Sequence, residues 1–185
     1  MSFITLVPLV IAIDDSPVRI ALAKRNAMIY GVADRIEFIL GDYFAFARSY
    51  MSQLPQRQII DVVFLSPPWG GPNYLQGSVQ DVEDENTNAI LQSEYSLSNI
   101  QPKDGSTLFK VTRRITHNIA FYLPRNVNLQ EVSQLVCKPP GGSALIDTQR
   151  FTEESIEVEE EYMSGKLKAV TCYFGGLVSG QEEMF

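Results

Sequence analysis

The chain has 185 residues, of which 45% are hydrophobic, and a formal net charge of −7 at pH 7. That length suits one globular domain with a buried core, and the apolar runs are shorter than the roughly 20 residues that a transmembrane helix needs. The acidic balance excludes a protein that binds a long nucleic acid mainly by its phosphates, since basic patches supply most of that affinity.

The first part of the chain has the pattern of a strand, a helix and a second strand joined by short turns. An apolar, β-branched run predicts a first strand at about residues 9–13, buried on both faces. Ser16 and Pro17 have the form of a helix N-cap and first turn, and the amphipathic helix that follows should end at Gly31. Residues 35–40 predict the second strand. Such a unit is parallel and right-handed.

An acid follows each of these strands. Asp14 closes the first strand, and Gly41 and Asp42 form the exit of the second. Ligands of open α/β sheets bind at the carboxyl ends of strands, where an acid can accept both hydroxyls of a ribose. Asp15 competes with Asp14 for that role, although Asp14 directly ends the apolar run. Asp42 has a second interpretation, as the polar residue that starts the turn into an aromatic helix.

A third strand, residues 61–65, is predicted to be buried and to end in a proline-rich turn. The turn presents Ser66, the carbonyl of Pro67 and Trp69 together at the strand's carboxyl end. A serine oxygen and a rigid carbonyl can accept hydrogen bonds from a planar amino group on a base, which raises the electron density on its nitrogen as a new bond forms. An aromatic ring beside them can stack on the base. The alternative is a turn whose tryptophan caps a core.

The rest of the chain predicts a long exposed loop or lid at residues 76–103, followed by helices and strands. The helices are expected at residues 106–117 and 128–137, and the strands at residues 119–123, 143–151 and 167–174. The last two strands should form an antiparallel pair, and the acidic residues 157–161 between them should be a solvated connection. Arg125 follows the strand 119–123 and should lie on the same rim of the sheet as Ser66 and Trp69.

Two cysteines and a single histidine limit the metal and redox chemistry. Cys137 and Cys172 are interpreted as buried thiols rather than a disulfide. His117 has too few potential partners for a metal site, so we expect a structural histidine and no metal.

Residues 66–74, Ser-Pro-Pro-Trp-Gly-Gly-Pro-Asn-Tyr, resemble the signature of the trimethylguanosine synthase family of RNA cap guanine-N2 methyltransferases. Residues 10–14, 36–42 and 121–126 match in the family's order and spacing. The resemblance implies an α/β class I (Rossmann-like) S-adenosylmethionine-dependent methyltransferase fold, with a mostly parallel sheet and an antiparallel C-terminal strand pair. It also implies methyl transfer from S-adenosylmethionine to N2 of a 7-methylguanosine cap on small nuclear and nucleolar RNAs, which gives the 2,2,7-trimethylguanosine cap.

The same resemblance assigns roles to six of the candidate residues. The catalytic residues are Ser66 and Pro67, the cap-binding residues are Trp69 and Arg125, and the cofactor-binding residues are Asp14 and Asp42. Methylation at N7 makes guanine cationic, and a cation over an indole face gains about 0.5–2 kcal/mol. Trp69 is therefore expected to select guanine that is already methylated at N7.

The chain departs from the class I pattern because no glycine-rich turn precedes Asp14, and its first glycine is Gly31. The expectation is one methyltransferase-like domain over residues 1–185 that is N-terminally incomplete, without the first strand and the glycine-rich loop. Two alternatives stay open: a truncated, non-catalytic cap-binding or interaction protein, and an amino methyltransferase that acts on another base or on glutamine. The resemblance further implies protein partners from small ribonucleoproteins, no membrane, and a location in nucleus and cytoplasm.

Overall fold

The computed structural model describes residues 9–53, 59–70, 94–136 and 154–178. The chain divides into two compact units, Met1–Gln58 and Ile59–Phe185, and each is described by itself. The expectation of a single domain stays a prediction. The strand predicted at residues 143–151, Cys137 and the signature residues 71–74 lie outside the described residues.

The first unit is the predicted strand, helix and strand. β1 (Val10–Asp14) and β2 (Ile36–Leu40) pair in parallel along their full lengths. α1 (Pro17–Ile29) connects them through a 3-10 turn at Ala33–Arg35, and α2 (Tyr43–Ser52) follows β2. The βαβ prediction is confirmed in its order and in its parallel pairing.

Both ends of α1 fall at the residues that predicted them. The Ser16 hydroxyl accepts a hydrogen bond from the Arg19 amide at 3.3 Å, and Pro17 opens the first turn. Gly31 has a φ of +68°, in the left-handed region that glycine adopts without a Cβ penalty. Local side-chain chemistry therefore sets the length of this helix.

The expectation that the first strand is buried on both faces is wrong. Val10 is 50% exposed, and Ile11 and Ile13 are half-buried. Within residues 9–53, β1 has β2 as its hydrogen-bonded neighbour and α1 packs against the pair. One neighbouring strand and one connecting helix are too few elements to cover both faces of β1.

The second unit is built on a four-stranded sheet in the order β3–β4–β6–β5. These strands span Val63–Leu65, Ile119–Pro124, Glu157–Met163 and Lys166–Phe174, numbered β3 to β6 along the chain. β3 and β4 are parallel, whereas β6 runs antiparallel to both β4 and β5. An antiparallel C-terminal pair is present, but its members are β5 and β6, whereas the first strand of the predicted pair, residues 143–151, lies outside the described residues.

The acidic run that was expected to be a solvated connection is part of β5, so that expectation is wrong. The Tyr173 hydroxyl donates to Glu159 at 2.6 Å, and the Thr171 hydroxyl donates to Glu161 at 2.9 Å. Acids on this strand therefore find hydroxyl partners on β6. Among the described strands β5 lies at the edge of the sheet, where charged side chains discourage pairing with another chain.

The core of the second unit lies on one face of this sheet. Phe109 of α3 (Gly105–Arg113) packs its ring 6.4 Å from Phe121 and 4.6 Å from Phe174, centroid to centroid. The opposite face carries Phe64, which is 62% exposed. β3 is thus covered on one face, with Leu65 buried, rather than fully buried as its apolar sequence predicts.

The last part of the predicted lid is packed against the chain that leaves β4. Tyr95 forms an isolated parallel bridge with Val127, and Leu97 is buried. Glu131 of α4 (Leu129–Gln134) accepts a hydrogen bond from the Leu97 amide at 2.7 Å. The exposed-loop prediction is therefore wrong for this segment, while residues 71–93 lie outside the part of the chain that the structure describes.

Candidate functional site

The turn after β3 lies at the edge of the sheet where the parallel strands β3 and β4 end, as the sequence predicts. Ser66 is exposed, and Pro67 and Trp69 are half-buried. Gly70 has a φ of +92°, a backbone conformation that lets the chain turn immediately after the tryptophan. A hydroxyl, a prolyl carbonyl and an indole are therefore grouped within four residues of the chain.

Tyr122 of β4 fixes the indole of Trp69 through two contacts. Indole Nε1 donates to the backbone carbonyl of Tyr122 at 3.2 Å. The two ring centroids lie 5.0 Å apart, with 37° between the ring planes. The Phe64 ring of β3 lies 6.2 Å from the Tyr122 ring, centroid to centroid, so Tyr122 has two aromatic neighbours.

The sequence analysis did not identify Tyr122 as a site residue, although the alternation of side chains along β4 indicates which face of the sheet it occupies. Phe64 lies opposite Ala120 in the parallel pair, and Tyr122 follows two residues later. Because side chains alternate between the faces of a strand, Phe64 and Tyr122 share a face. The partner of Trp69 becomes visible only once the register of β3 and β4 is known.

Asn118 fixes the beginning of β3 and so the position of the turn that follows it. Its backbone carbonyl accepts a hydrogen bond from the Val63 amide at 3.0 Å, and its side-chain Nδ2 donates to the Asp61 carbonyl at 3.0 Å. Its Oδ1 accepts from the Gly176 amide at 2.8 Å. This side chain therefore joins the chain before β3 to the 3-10 turn Gly175–Leu177, which follows β6.

Arg125 follows β4 at the same carboxyl edge as Ser66, as predicted. Its side chain is half-buried, and Nη1 donates to the Leu167 carbonyl at 3.4 Å. Its Nε is buried and has no hydrogen-bond partner. A guanidinium has five N–H donors, so Arg125 keeps the capacity to bind an anion.

Asp14, at the carboxyl end of β1, is bound by Arg19 of α1. Arg19 Nε donates to Oδ1 at 2.9 Å and to Oδ2 at 2.8 Å, and the Ser16 amide donates to Oδ1 at 2.7 Å. The hydrogen bond from Arg19 is the main cause that lowers the pKa of Asp14. The competitor Asp15 pairs with Nη2 of the same guanidinium at 2.9 Å.

Asp42 caps α2 through one carboxylate oxygen, which accepts from the Ala45 amide at 2.7 Å. Its structural interpretation is therefore confirmed. The Gly41 amide donates to the Asp14 carbonyl at 3.0 Å, so Asp14 and Asp42 follow adjacent strands at one carboxyl edge of β1 and β2. A ligand-binding role for Asp42 stays a prediction.

These two acids suit the adenosine half of S-adenosylmethionine. Carboxylates at this edge can accept hydrogen bonds from ribose hydroxyls and from an adenine amino group. A carboxylate has about four lone-pair sites. Hydrogen bonds from Arg19 and the Ser16 amide occupy three of them in Asp14, so one site remains to accept from a ribose hydroxyl while Asp14 stays bound to Arg19. Gly31 and Gly41 are the glycines of residues 9–53, and neither precedes β1, so no residue is assigned to the methionine half.

The thiol and histidine predictions have separate outcomes. Cys172 is a buried free thiol, as predicted, and burial raises its pKa to about 11. The backbone carbonyl of His117 accepts from Arg113 Nη1 at 2.9 Å.

Across residues 9–53, 59–70, 94–136 and 154–178, no three His, Cys, Asp or Glu side chains are grouped to bind a metal ion. No helix in those ranges is long and apolar enough to cross a membrane.

Comparisons with known proteins identify relatives of this chain. A family model described as RNA cap guanine-N2 methyltransferase matches residues 1–177. Trimethylguanosine synthase of Schizosaccharomyces pombe is 36% identical over 166 residues, which are 89% of this chain and 56% of that protein. Trimethylguanosine synthase of Saccharomyces cerevisiae is 28% identical over 169 residues, which are 91% of this chain and 45% of that protein.

The chain spans about half the length of these curated relatives. Its parallel βαβ unit and its sheet of parallel and antiparallel strands fit the α/β fold of S-adenosylmethionine-dependent methyltransferases. The chain belongs to the RNA cap guanine-N2 methyltransferase family.

Proposed function

We propose that this chain provides the guanine site of an enzyme that transfers methyl groups from S-adenosylmethionine to N2 of a 7-methylguanosine cap on small nuclear and nucleolar RNAs. The product is the 2,2,7-trimethylguanosine cap. The observation that supports this most is the turn after β3, where an exposed serine hydroxyl, a prolyl carbonyl and a fixed indole lie at the carboxyl edge of the sheet. The relatives are named for synthesis of trimethylguanosine, which agrees with this chemistry.

Ser66 and Pro67 orient the amino group that reacts. The lone pair on N2 is delocalised into the guanine ring, so the nitrogen is a poor nucleophile. When the Ser66 hydroxyl oxygen and the Pro67 carbonyl accept hydrogen bonds from N2, electron density on the nitrogen rises as the new bond forms. The Pro67 ring fixes φ, and Pro68 restricts the backbone before it, so this carbonyl is aimed before substrate arrives. Bound S-adenosylmethionine would supply the electrophilic methyl group and leave as S-adenosylhomocysteine, and N2 would release one proton to solvent for each methyl group that it gains.

Trp69 and Arg125 select the cap. A cationic base over the indole face gains about 0.5–2 kcal/mol over a neutral one, which corresponds to about a 2- to 30-fold preference for 7-methylguanine. Arg125 binds the cap phosphates with its remaining donors. The net charge of −7 repels the rest of an RNA, so binding is limited to the capped end.

Asp14 and Asp42 bind the adenosine half of the cofactor at the edge of β1 and β2. Asp14 accepts from a ribose hydroxyl at the site that Arg19 and Ser16 leave open, and Arg19 keeps it ionised and oriented. One carboxylate oxygen of Asp42 caps α2, and the other accepts a hydrogen bond from the adenine amino group. Protein partners from small ribonucleoproteins, and a location in nucleus and cytoplasm, belong to the same proposal.

Methyl transfer to capped dinucleotides tests this function. The purified chain is incubated with labelled S-adenosylmethionine and either m7GpppG or GpppG, and calorimetric titration with S-adenosylhomocysteine measures cofactor binding in parallel. We expect label at N2 of m7GpppG, a much slower reaction with GpppG, and loss of transfer in Ser66→Ala with cap binding retained.

Other outcomes of that assay separate the alternatives. Cap binding by a folded chain without cofactor binding or transfer means a non-catalytic cap-binding protein. Equal transfer to m7GpppG and GpppG contradicts selection by Trp69 and favours an amino methyltransferase with another substrate.

A further inference from the structure

We propose that Tyr122 is a positioning residue of the guanine site, because its ring and its backbone carbonyl together set the plane of the Trp69 indole. The inference rests on the proposed function, in which Trp69 stacks on the guanine base. It adds a residue that lies outside the Ser-Pro-Pro-Trp signature, on another strand and 53 residues along the chain.

The two contacts from Tyr122 restrict different motions of the indole. The hydrogen bond from Nε1 to the Tyr122 carbonyl, at 3.2 Å, fixes the position of the nitrogen but leaves the ring free to tilt about that point. The tyrosine ring, 5.0 Å away between centroids and inclined at 37°, limits the tilt. Together they hold the indole in one orientation before any ligand binds.

Tyr122 can do this because it is part of an interior strand. β4 lies between β3 and β6, and Tyr122 is paired with Thr171 in the antiparallel ladder. The Phe64 ring of β3 also lies beside the Tyr122 ring, with 6.2 Å between the centroids. Trp69, in contrast, belongs to a turn, and turns are more mobile than the strands they follow. A binding group supported by a strand keeps its geometry better than one supported by a loop alone.

Loss of this support should weaken binding of the base. A cation gains from an indole only when it lies over the ring face, and a side chain that becomes ordered on binding lowers affinity by about 2- to 12-fold. We therefore expect Tyr122→Leu to bind 7-methylguanosine triphosphate about 2- to 12-fold more weakly than the unaltered chain does.

Time-resolved fluorescence anisotropy tests the proposal directly, because Trp69 is the single tryptophan of the chain. Tyr122→Leu should increase the amplitude of the fast, nanosecond motion of the indole. Tyr122→Phe keeps the ring and the carbonyl, and should leave both the anisotropy decay and the affinity as they are in the unaltered chain. Tyr173→Leu is the matched control, since Tyr173 shares this sheet face one strand away and its hydroxyl pairs with Glu159.

An unchanged anisotropy decay in folded Tyr122→Leu overturns the proposal, and so does an unchanged affinity for 7-methylguanosine triphosphate. If Tyr122→Leu does not fold, NMR of the unaltered chain provides the test. The indole N–H resonance of Trp69 should show a nuclear Overhauser effect to the Tyr122 ring. If that effect is absent, the proposal is overturned. The anisotropy arm uses no ligand. A chain that binds GTP as well as 7-methylguanosine triphosphate therefore contradicts the proposed function and leaves the test of Tyr122 intact.

Discussion

Arg19 donates from one nitrogen to both carboxylate oxygens of Asp14, at 2.9 and 2.8 Å. The first turn of α1 thereby fixes the acid that ends β1. The Asp14 side chain is 31% exposed and that of Arg19 is 65% exposed, so the pair contributes little to global stability. Its consequence is the orientation and the charge state of Asp14.

Replacing Arg19 by Gln should raise the pKa of Asp14 toward its ordinary value, because the main cause of the lowering is removed. The Asp14 carboxylate contributes its stabilisation above its unfolded pKa of about 3.9 and loses it as the pH falls through the lower folded pKa. Carbon-13 NMR titration of the Asp14 carboxyl measures the shift. Arg25→Gln, on the same helix, is the control and should leave the titration unchanged. The Ser16 amide also lowers this pKa, so the test is the change between the two proteins: an Asp14 pKa that does not rise in Arg19→Gln contradicts the assignment.

Asn118→Ala should lower the free energy of unfolding by about 1–3 kcal/mol, because it removes two side-chain hydrogen bonds, to the Asp61 carbonyl and from the Gly176 amide. Urea denaturation measures the change. Asn99→Ala, at an exposed position in a 3-10 turn, is the control and should stay within about 0.5 kcal/mol. Equal stability of the two variants argues against Asn118 as the residue that fixes β3.

Two glycines with nearly the same backbone conformation should respond differently to alanine. Gly165 has a φ of +73° and open space where an alanine Cβ would lie, whereas Gly175 has a φ of +69° and its Cβ would lie 2.3 Å from the His117 carbonyl oxygen. Both variants carry the strain of a left-handed residue, about 1–2 kcal/mol. Gly175→Ala also carries a backbone clash, so its loss of stability should be larger by at least about 1 kcal/mol. Thermal or urea unfolding of the pair gives the difference, and equal losses refute the packing around Gly175.

Cys172 should react slowly with thiol reagents near neutral pH, because it is buried and its pKa is raised to about 11. The experiment uses Cys137→Ser, so that Cys172 is the remaining cysteine. Labelling by a chromogenic disulfide at pH 8 should proceed at the rate of unfolding and become fast in denaturant. Fast labelling of the folded chain would show that the sheet face around Cys172 is open.

Local signals predicted the elements well wherever the controlling residues are neighbours in sequence. Ser16, Pro17 and Gly31 give the bounds of α1, and the end of β3 follows from Pro67 and Pro68. The acids of β5 were misassigned because the partners that satisfy them, Thr171 and Tyr173, lie on another strand. Burial of the strands was overestimated for a related reason, since an apolar strand does not reveal how many elements cover it.

The same distinction between neighbouring and distant residues applies to the candidate site. The signature located Ser66, Pro67 and Trp69 at a strand end, where the structure has them. It could not identify Tyr122 or Asn118, whose contacts to this region span more than 50 residues of chain. Nor could it show that Arg19 binds Asp14, because a basic residue on a helix predicts a solvated face as readily as an ion pair.

The fluorescence of Trp69 tests the central claim, that this turn binds guanine methylated at N7. Trp69 is the chain's single tryptophan, so quenching of its emission by 7-methylguanosine triphosphate or by GTP reports on this site, with free N-acetyltryptophanamide as the control for absorption and collision. We predict that 7-methylguanosine triphosphate quenches at about 2- to 30-fold lower concentration than GTP, and that Ser66→Ala retains this preference. Equal quenching by the two nucleotides, or no quenching by either nucleotide in a folded chain, would contradict the claim that this turn binds guanine methylated at N7.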